Sequence, residues 1–134
     1  MHELFGEALV VSDSTPEFAI RVGSTIARIA VQPVAGDALI CTRAYVVRGA
    51  KLDYELLHFL LRENHNAHLG AFGVDLQGDI FFQHAILGST CDPPELKASV
   101  LSVATLSDHH DDSIAQQWGG ERGIDRVART QASA

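Results

Sequence analysis

The feature that most constrains the fold of this sequence is a repeated change in the spacing of its apolar residues. Apolar and polar residues alternate from residue 18 to residue 47, recur at helical spacing from 52 to 61, alternate again from 72 to 87 and return to helical spacing from 96 to 118. Alternation indicates a strand with one buried face, whereas the wider spacing indicates an amphipathic helix. The predicted order is strands, helix, strands, helix.

Three strands are predicted before the first helix. They cover residues 18–22, 27–31 and 38–47. Gly23-Ser24 and Gly36-Asp37 are typical turn residues, and Pro33 is predicted to end the second strand because it cannot donate to a ladder. Consecutive strands joined by short turns predict an antiparallel meander.

The first helix is predicted from residue 52 to residues 64–66, with Leu57 and Leu61 widening its apolar stripe. A β-hairpin follows, with strands over residues 72–76 and 80–87 and a turn at Gln77-Gly78. The return strand is apolar at most positions, which predicts burial on both faces or at an interface. Residues 1–15 fit either a short helix or the start of a strand.

The last helix has clear boundary signals. Asp92 suits an N-cap, Pro93 the first helical position and Glu95 a capping box, while Gly119-Gly120 provides a stop. Polar residues interrupt its apolar stripe between residues 107 and 112, so a kink or break is predicted there.

Composition is that of a globular protein. The chain has 134 residues, of which 46% are hydrophobic and 20% charged, so one domain with its own core is expected. We predict a single α+β domain over residues 1–120, with a twisted antiparallel sheet of about five strands and helices packed against it. Residues 121–134 contain few apolar side chains, which predicts a flexible C-terminal tail.

Charge and cysteine content exclude several classes of protein. The formal net charge is −7 and the ten Lys and Arg residues are spread along the chain, which argues against nucleic acid as a partner. No apolar run reaches the roughly twenty residues that span a bilayer, so no membrane partner is expected. Cys41 and Cys91 fit reduced, partly buried thiols. A cytoplasmic location is expected.

Histidines are the best candidates for chemistry. His65 and His68 are three residues apart, and His109, His110, Asp111 and Asp112 are consecutive, so an alternative interpretation is a metal- or small-ligand-binding protein.

Neither histidine group matches a known ligand signature, and adjacent helical residues point about 100° apart. No nucleophile motif of the GxSxG or cysteine-protease type is present, and the glycines at 70, 73 and 78 do not form a phosphate loop. We therefore predict no enzyme activity, no metal and no cofactor.

One stretch resembles a known family. Residues 60–64 (LLREN), 70–75 (GAFGVD) and 78–80 (GDI) resemble the YbjN-like family of the type III secretion system chaperone-like superfamily, in which a leucine-rich helix end and an Asn precede a G-x-F-x-x-D strand and a return strand. The order of elements agrees over residues 17–118. The resemblance implies an antiparallel sheet flanked by helices, a homodimer and a non-enzymatic role in binding segments of other proteins.

The apolar face of the predicted hairpin is the candidate surface for a second chain. We predict that the protein-binding or dimer surface contains Phe72, Ile80, Phe82, Ile86 and Trp118, because large apolar side chains of this kind form cores or interfaces. The partner protein itself is not identified by the sequence.

Overall fold

The computed structural model describes residues 9–11 and 17–123 of the chain. Within these ranges, seven strands form one antiparallel sheet and two α-helices pack against it. The strands are β1 (Leu9–Val11), β2 (Glu17–Val22), β3 (Thr25–Val34), β4 (Asp37–Arg48), β5 (Ala71–Val74), β6 (Ile80–Leu87) and β7 (Glu121–Arg122). The helices are α1 (Tyr54–Asn66) and α2 (Pro93–Trp118), with a 3-10 turn at Gly88–Thr90 before α2.

The sheet confirms the predicted α+β architecture. Its strand order is β1-β2-β3-β4-β6-β5, and β7 pairs with the end of β4. The predicted meander is β2-β3-β4, and the predicted hairpin is β5-β6. The return strand β6 lies against β4, so the hairpin extends the meander into one continuous sheet and leaves β5 at an edge.

The second strand does not end at Pro33 as predicted, since β3 continues to Val34 with Pro33 opposite Ala38 of β4. The pairing of β2 with β3 ends at Ala30. Beyond that residue one side of β3 has no neighbouring strand among the described residues. The proline lacks an N–H, but no strand on that side would accept a hydrogen bond from it.

Two short strands extend the predicted sheet: β1 was one of two alternatives for its segment, and β7 was not predicted. β1 pairs with β2, with Leu9 opposite Ile20, which decides the ambiguity of that segment in favour of a strand for residues 9–11. β7 places Arg122 opposite Val47, so the predicted tail begins as part of the sheet. Residues 1–8 and the remainder of the predicted tail, 124–134, lie outside the described residues.

Helix α2 is continuous from Pro93 to Trp118, and the predicted break between residues 107 and 112 is wrong. Its N-terminus is capped as expected, because the Asp92 side chain accepts a hydrogen bond from Glu95 N at 2.8 Å. Ser107 and Asp111 are buried on the inner face of the helix, so polar residues extend the buried stripe.

Both helices cover one face of the sheet. α2 packs across β2, β3, β4 and β6, whereas α1 packs on β5. The fully buried side chains between the layers come from alternate positions of the strands and from both helices. They include Ile20, Ile29, Val46, Leu56, Ile80, Phe82, Val100, Val103 and Ile114. No described helix lies on the opposite face of the sheet, which carries exposed residues such as Arg28 and Ala85.

Helix α1 begins at Tyr54, after an N-cap at Asp53 whose side chain accepts a hydrogen bond from Leu56 N at 2.9 Å. Leu56 and Leu60 face the core. Leu57 and Leu61 do not widen that buried stripe as predicted, because they are 42% and 69% exposed. They lie about 100° further around the helix, where no described element covers them.

Neither helix in the part of the chain that the structure describes has the apolar length of a membrane-spanning segment.

Candidate peptide-binding surfaces

The predicted contact residues of the hairpin lie inside the chain's own core. Ile80 and Phe82 are completely buried, and Phe72 and Ile86 are 8% and 9% exposed. Trp118 is half-buried against Phe59, with ring centres 5.5 Å apart. The four hairpin residues predicted for the protein-binding or dimer surface therefore pack within the chain's own core. The alternation of apolar side chains in the hairpin marks the face that the helices cover. A buried core and a protein interface produce the same alternating pattern, so the sequence alone did not distinguish them.

An exposed apolar row lies instead on the outer side of α1. Tyr54, Leu57 and Leu61 are 79%, 42% and 69% exposed, and the Tyr54 ring stacks on His58 with centres 5.7 Å apart. Spacings of three and four residues place these side chains on one face of the helix. We call these four residues the outer stripe of α1. The sequence contained this signal in Leu57 and Leu61, but it did not show which apolar stripe faces the sheet.

The backbone of edge strand β5 is partly capped by α1. The Asn64 side chain accepts a hydrogen bond from Phe72 N at 2.6 Å and donates one to Phe72 O at 3.3 Å. One amide thus replaces a neighbouring strand at the centre of the edge. The Asn of the family-like sequence pattern therefore connects helix α1 to the sheet.

The aspartate of the same pattern closes the β5-β6 turn. Asp75 accepts hydrogen bonds from Gln77 N at 3.0 Å and Asp79 N at 2.9 Å, and from the Tyr45 hydroxyl at 2.8 Å. The backbone bonds from the turn lower the pKa of Asp75, chiefly that from Asp79. Asp75 therefore has a structural role in the β5-β6 turn.

A small cleft separates the C-terminal end of α1 from α2. Its volume is about 80 Å³, and its lining includes Glu63, Phe72, Phe82, Leu106 and His110. Small-molecule sites are typically roughly 300–1,000 Å³, so this cleft is too small for a cofactor.

The candidate histidines are not arranged for a metal ion. Among the described residues there is no group of three or more His, Cys, Asp or Glu side chains that could hold one. His65 and His68 are exposed near the end of α1. Burial lowers the pKa of His110, an effect opposed by the Glu63 carboxylate 3.5 Å from its Nε2. The metal-binding alternative is therefore unsupported.

One Ser-His contact has the distance of a catalytic pair. His84 Nδ1 lies 2.7 Å from Ser99 Oγ, between β6 and α2. Ser99 is 1% exposed, so no substrate can approach its hydroxyl in this conformation. The bond instead gives the buried Ser99 hydroxyl a partner in the half-buried His84 ring.

A cluster of polar groups joins the β2-β3 turn to α2. Ser24 N donates to Asp108 Oδ1 at 2.8 Å, and Ser24 Oγ contacts both Asp108 Oδ1 and, at 2.7 Å, Asp111 Oδ2. A hydroxyl has one hydrogen, so two carboxylates cannot both accept from it. Burial raises the pKa of Asp111, whereas the hydrogen bonds from Ser24 lower that of Asp108. When Asp111 is protonated, which its burial favours, its carboxyl can donate to Ser24 Oγ while that hydroxyl donates to Asp108.

We expect Asp111→Asn to raise the free energy of unfolding by about 1 kcal/mol near pH 8, because the amide keeps a donor without a buried charge. The folded-state pKa of Asp111 is raised, so its stabilising contribution is present below the unfolded pKa and is lost as the pH rises through the folded pKa. The benefit of the substitution should therefore shrink toward about pH 4.

Chemical denaturation at several pH values measures this effect. Asp112→Asn is the matched control, because Asp112 is exposed on the same turn of α2. An equal effect of both substitutions at every pH would contradict a raised folded-state pKa for Asp111.

Comparison with known proteins agrees with this architecture. A family model described as "T3SS (YopN, CesT) and YbjN peptide-binding chaperone 1" (TY-Chap1) matches residues 1–126. A solved structure, "Crystal Structure of the ExsC-ExsE Complex", is similar with a TM-score of 0.62 and 15% sequence identity, covering 84% of this chain and 86% of that chain. No curated protein sequence matches. The resemblance predicted from the sequence is thus confirmed, and the chain belongs to the TY-Chap1 family.

Proposed function

We propose that this protein is a homodimeric chaperone that binds an extended segment of another protein and catalyses no reaction. The family's description as peptide-binding chaperones supports the binding role, and the similar solved structure is itself a complex of ExsC with ExsE. The observation that supports a dimer is the outer stripe of α1. One side of this helix is buried against the sheet, and another side exposes a second row of apolar residues.

The position of the outer stripe favours pairing with a second copy. It runs from Tyr54 to Leu61, about 10 Å along the helix, and α1 packs beside the edge strand β5. Val74 of that strand is also 37% exposed. A two-fold axis next to α1 would place each stripe against its counterpart, which is how an isologous dimer buries one patch twice.

Leu61→Glu is expected to convert the dimer to a monomer. Each dimer would bury two carboxylates in an apolar contact, which should weaken association by about 1,000-fold. Multi-angle light scattering at tens of micromolar protein measures the change in mass.

Leu76→Glu is the matched control, because Leu76 is a fully exposed leucine in the β5-β6 turn, away from the stripe. It should leave the mass unchanged. A wild-type monomer, or a Leu61→Glu variant that remains a dimer, would contradict the proposed dimer.

A further inference from the structure

The sheet face opposite the helices carries a band of arginines. Arg28 of β3 lies directly opposite Arg43 of β4. Arg21 of β2 is opposite Ile26, which places it diagonally next to Arg28 on the same face. Diagonal neighbours on a sheet are about 7–8 Å apart, so three guanidinium groups share one surface. We call these three residues the arginine band.

This band contrasts with the charge of the whole chain. The formal net charge is −7, yet the ion pairs of the described side chains involve Arg48, His110 and Arg122 and none of the band. Like charges directly opposite on a sheet destabilise it. The pairing of Arg28 with Arg43 is therefore unfavourable for folding and favourable for an anionic ligand.

Arg43 is held in place by its neighbours. Its Nε and Nη2 donate to Gln83 Oε1 at 3.0 and 2.6 Å, and its guanidinium carbon lies 4.0 Å from the centre of the Phe81 ring. An arginine has five donor hydrogens, and these bonds use two of them. The group is therefore preorganised, with donors left for a carboxylate.

A row of small side chains runs beside the band. Ala30 of β3, Cys41 of β4 and Ala85 of β6 face one another across the sheet, two residues along from Arg28 and Arg43. Two residues along a strand is about 6.8 Å. Ala85 is exposed and the other two are half-buried, so a shallow strip of small apolar side chains lies next to the arginine band.

We infer that the sheet face opposite α1 and α2 binds an acidic, amphipathic segment of a partner protein. Carboxylates of that segment contact Arg21, Arg28 and Arg43, and its apolar side chains lie over the row of Ala30, Cys41 and Ala85. The inference rests on the proposed peptide-binding function and gives it a substrate class. Charge complementarity selects the partner, because an acidic protein otherwise repels acidic segments.

Binding can be measured with a library of fluorescent peptides, each about twelve residues long and varied in charge. We expect enrichment of peptides that combine Asp or Glu with apolar residues, and loss of binding when Lys replaces the acids. Arg21→Glu/Arg28→Glu should weaken binding of an enriched peptide by about tenfold, because both side chains are exposed and act through charge.

Arg62→Glu/Lys97→Glu is the control with the same charge change, placed on exposed positions of α1 and α2. It should leave the peptide affinity unchanged, and thermal unfolding should show that both double variants remain folded. Equal weakening by the two double variants would overturn the assignment to this face. Loss of the dimer in the Arg21→Glu/Arg28→Glu variant would also overturn it, because the face would then be a subunit contact.

The library separates this inference from the function on which it rests. Enrichment of neutral or basic peptides would agree with the proposed peptide-binding function, but it would overturn the inference that the partner segment is acidic. Tighter binding of a single-stranded oligonucleotide than of any acidic peptide would overturn it as well. No enrichment of any peptide class would contradict both proposals.

Discussion

Phe82→Ala should lower the free energy of unfolding by about 4 kcal/mol, because truncating a buried phenylalanine removes apolar contacts and leaves a cavity. Phe82 is completely buried and packs edge-to-face on Phe72 with ring centres 4.9 Å apart. It lies between Ala44 of β4 and Phe72 of β5, so its ring connects the hairpin to the meander. A domain of this size is stable by about 5–15 kcal/mol, so the loss is a large fraction of the total.

Urea denaturation followed by circular dichroism measures the change. Leu76→Ala is the control, because that leucine is fully exposed and its truncation should change stability by less than about 0.5 kcal/mol. A loss below about 1 kcal/mol for Phe82→Ala would show that the ring is not at the centre of the core.

Gly70→Ala is expected to destabilise the protein by about 3 kcal/mol, through backbone strain and overpacking together. Gly70 has φ +95°, a region that side chains with a Cβ rarely adopt. A Cβ at this position would lie 2.6 Å from Cε1 of Phe82 and 2.7 Å from the carbonyl oxygen of Gln83. The backbone of β6 cannot yield as a flexible side chain would, so the contact forces β5 away from β6.

Gly36→Ala separates the two contributions. Gly36 has φ +81° in the β3-β4 turn, but a Cβ there would have nothing within 4 Å. We expect this control to lose about 1 kcal/mol from backbone strain alone. In a Phe82→Ala background the effect of Gly70→Ala should become smaller, since the ring contact is gone while that with Gln83 remains. Equal losses for Gly70→Ala and Gly36→Ala would contradict the close packing of β5 on β6.

Three residues of the family-like pattern have structural roles. Asn64 holds the backbone of edge strand β5, Gly70 lets the chain approach Phe82, and Asp75 closes the turn to β6. All three stabilise the attachment of the hairpin to α1 and β4. Such a pattern identifies a fold, because the Asn64 amide and the Asp75 carboxylate form hydrogen bonds within the chain.

Local signals in the sequence predicted the types and order of the main elements. The alternation in residues 18–47, the Gly23-Ser24 turn and the Asp92 cap each act over a few residues, and each is present in the structure. The structure adds β7 and decides in favour of β1, and these strands of two and three residues are too short for a periodic pattern.

Two errors arise where a local pattern has two interpretations. Leu57 and Leu61 belong to a second apolar stripe of α1, and only the packing of α1 on β5 shows that they face outward. The polar residues in the middle of α2 suggested a break, yet Asp108 and Asp111 find a partner in Ser24, more than eighty residues earlier in the chain. The contact with Ser24 offsets part of the cost of burying Asp111, whose Oδ1 has no hydrogen-bond partner among the described residues.

The sequence by itself determined the element types, their order and the caps of α2, because these depend on propensities and hydrogen bonds within one or two turns of chain. The tertiary structure alone decided that the hairpin's apolar face is core, that α1 exposes a second apolar stripe, and that Arg21, Arg28 and Arg43 share the sheet face opposite α1 and α2. Strand pairing brings together residues that are distant in sequence, and side-chain spacing along one strand does not reveal which strand becomes its neighbour.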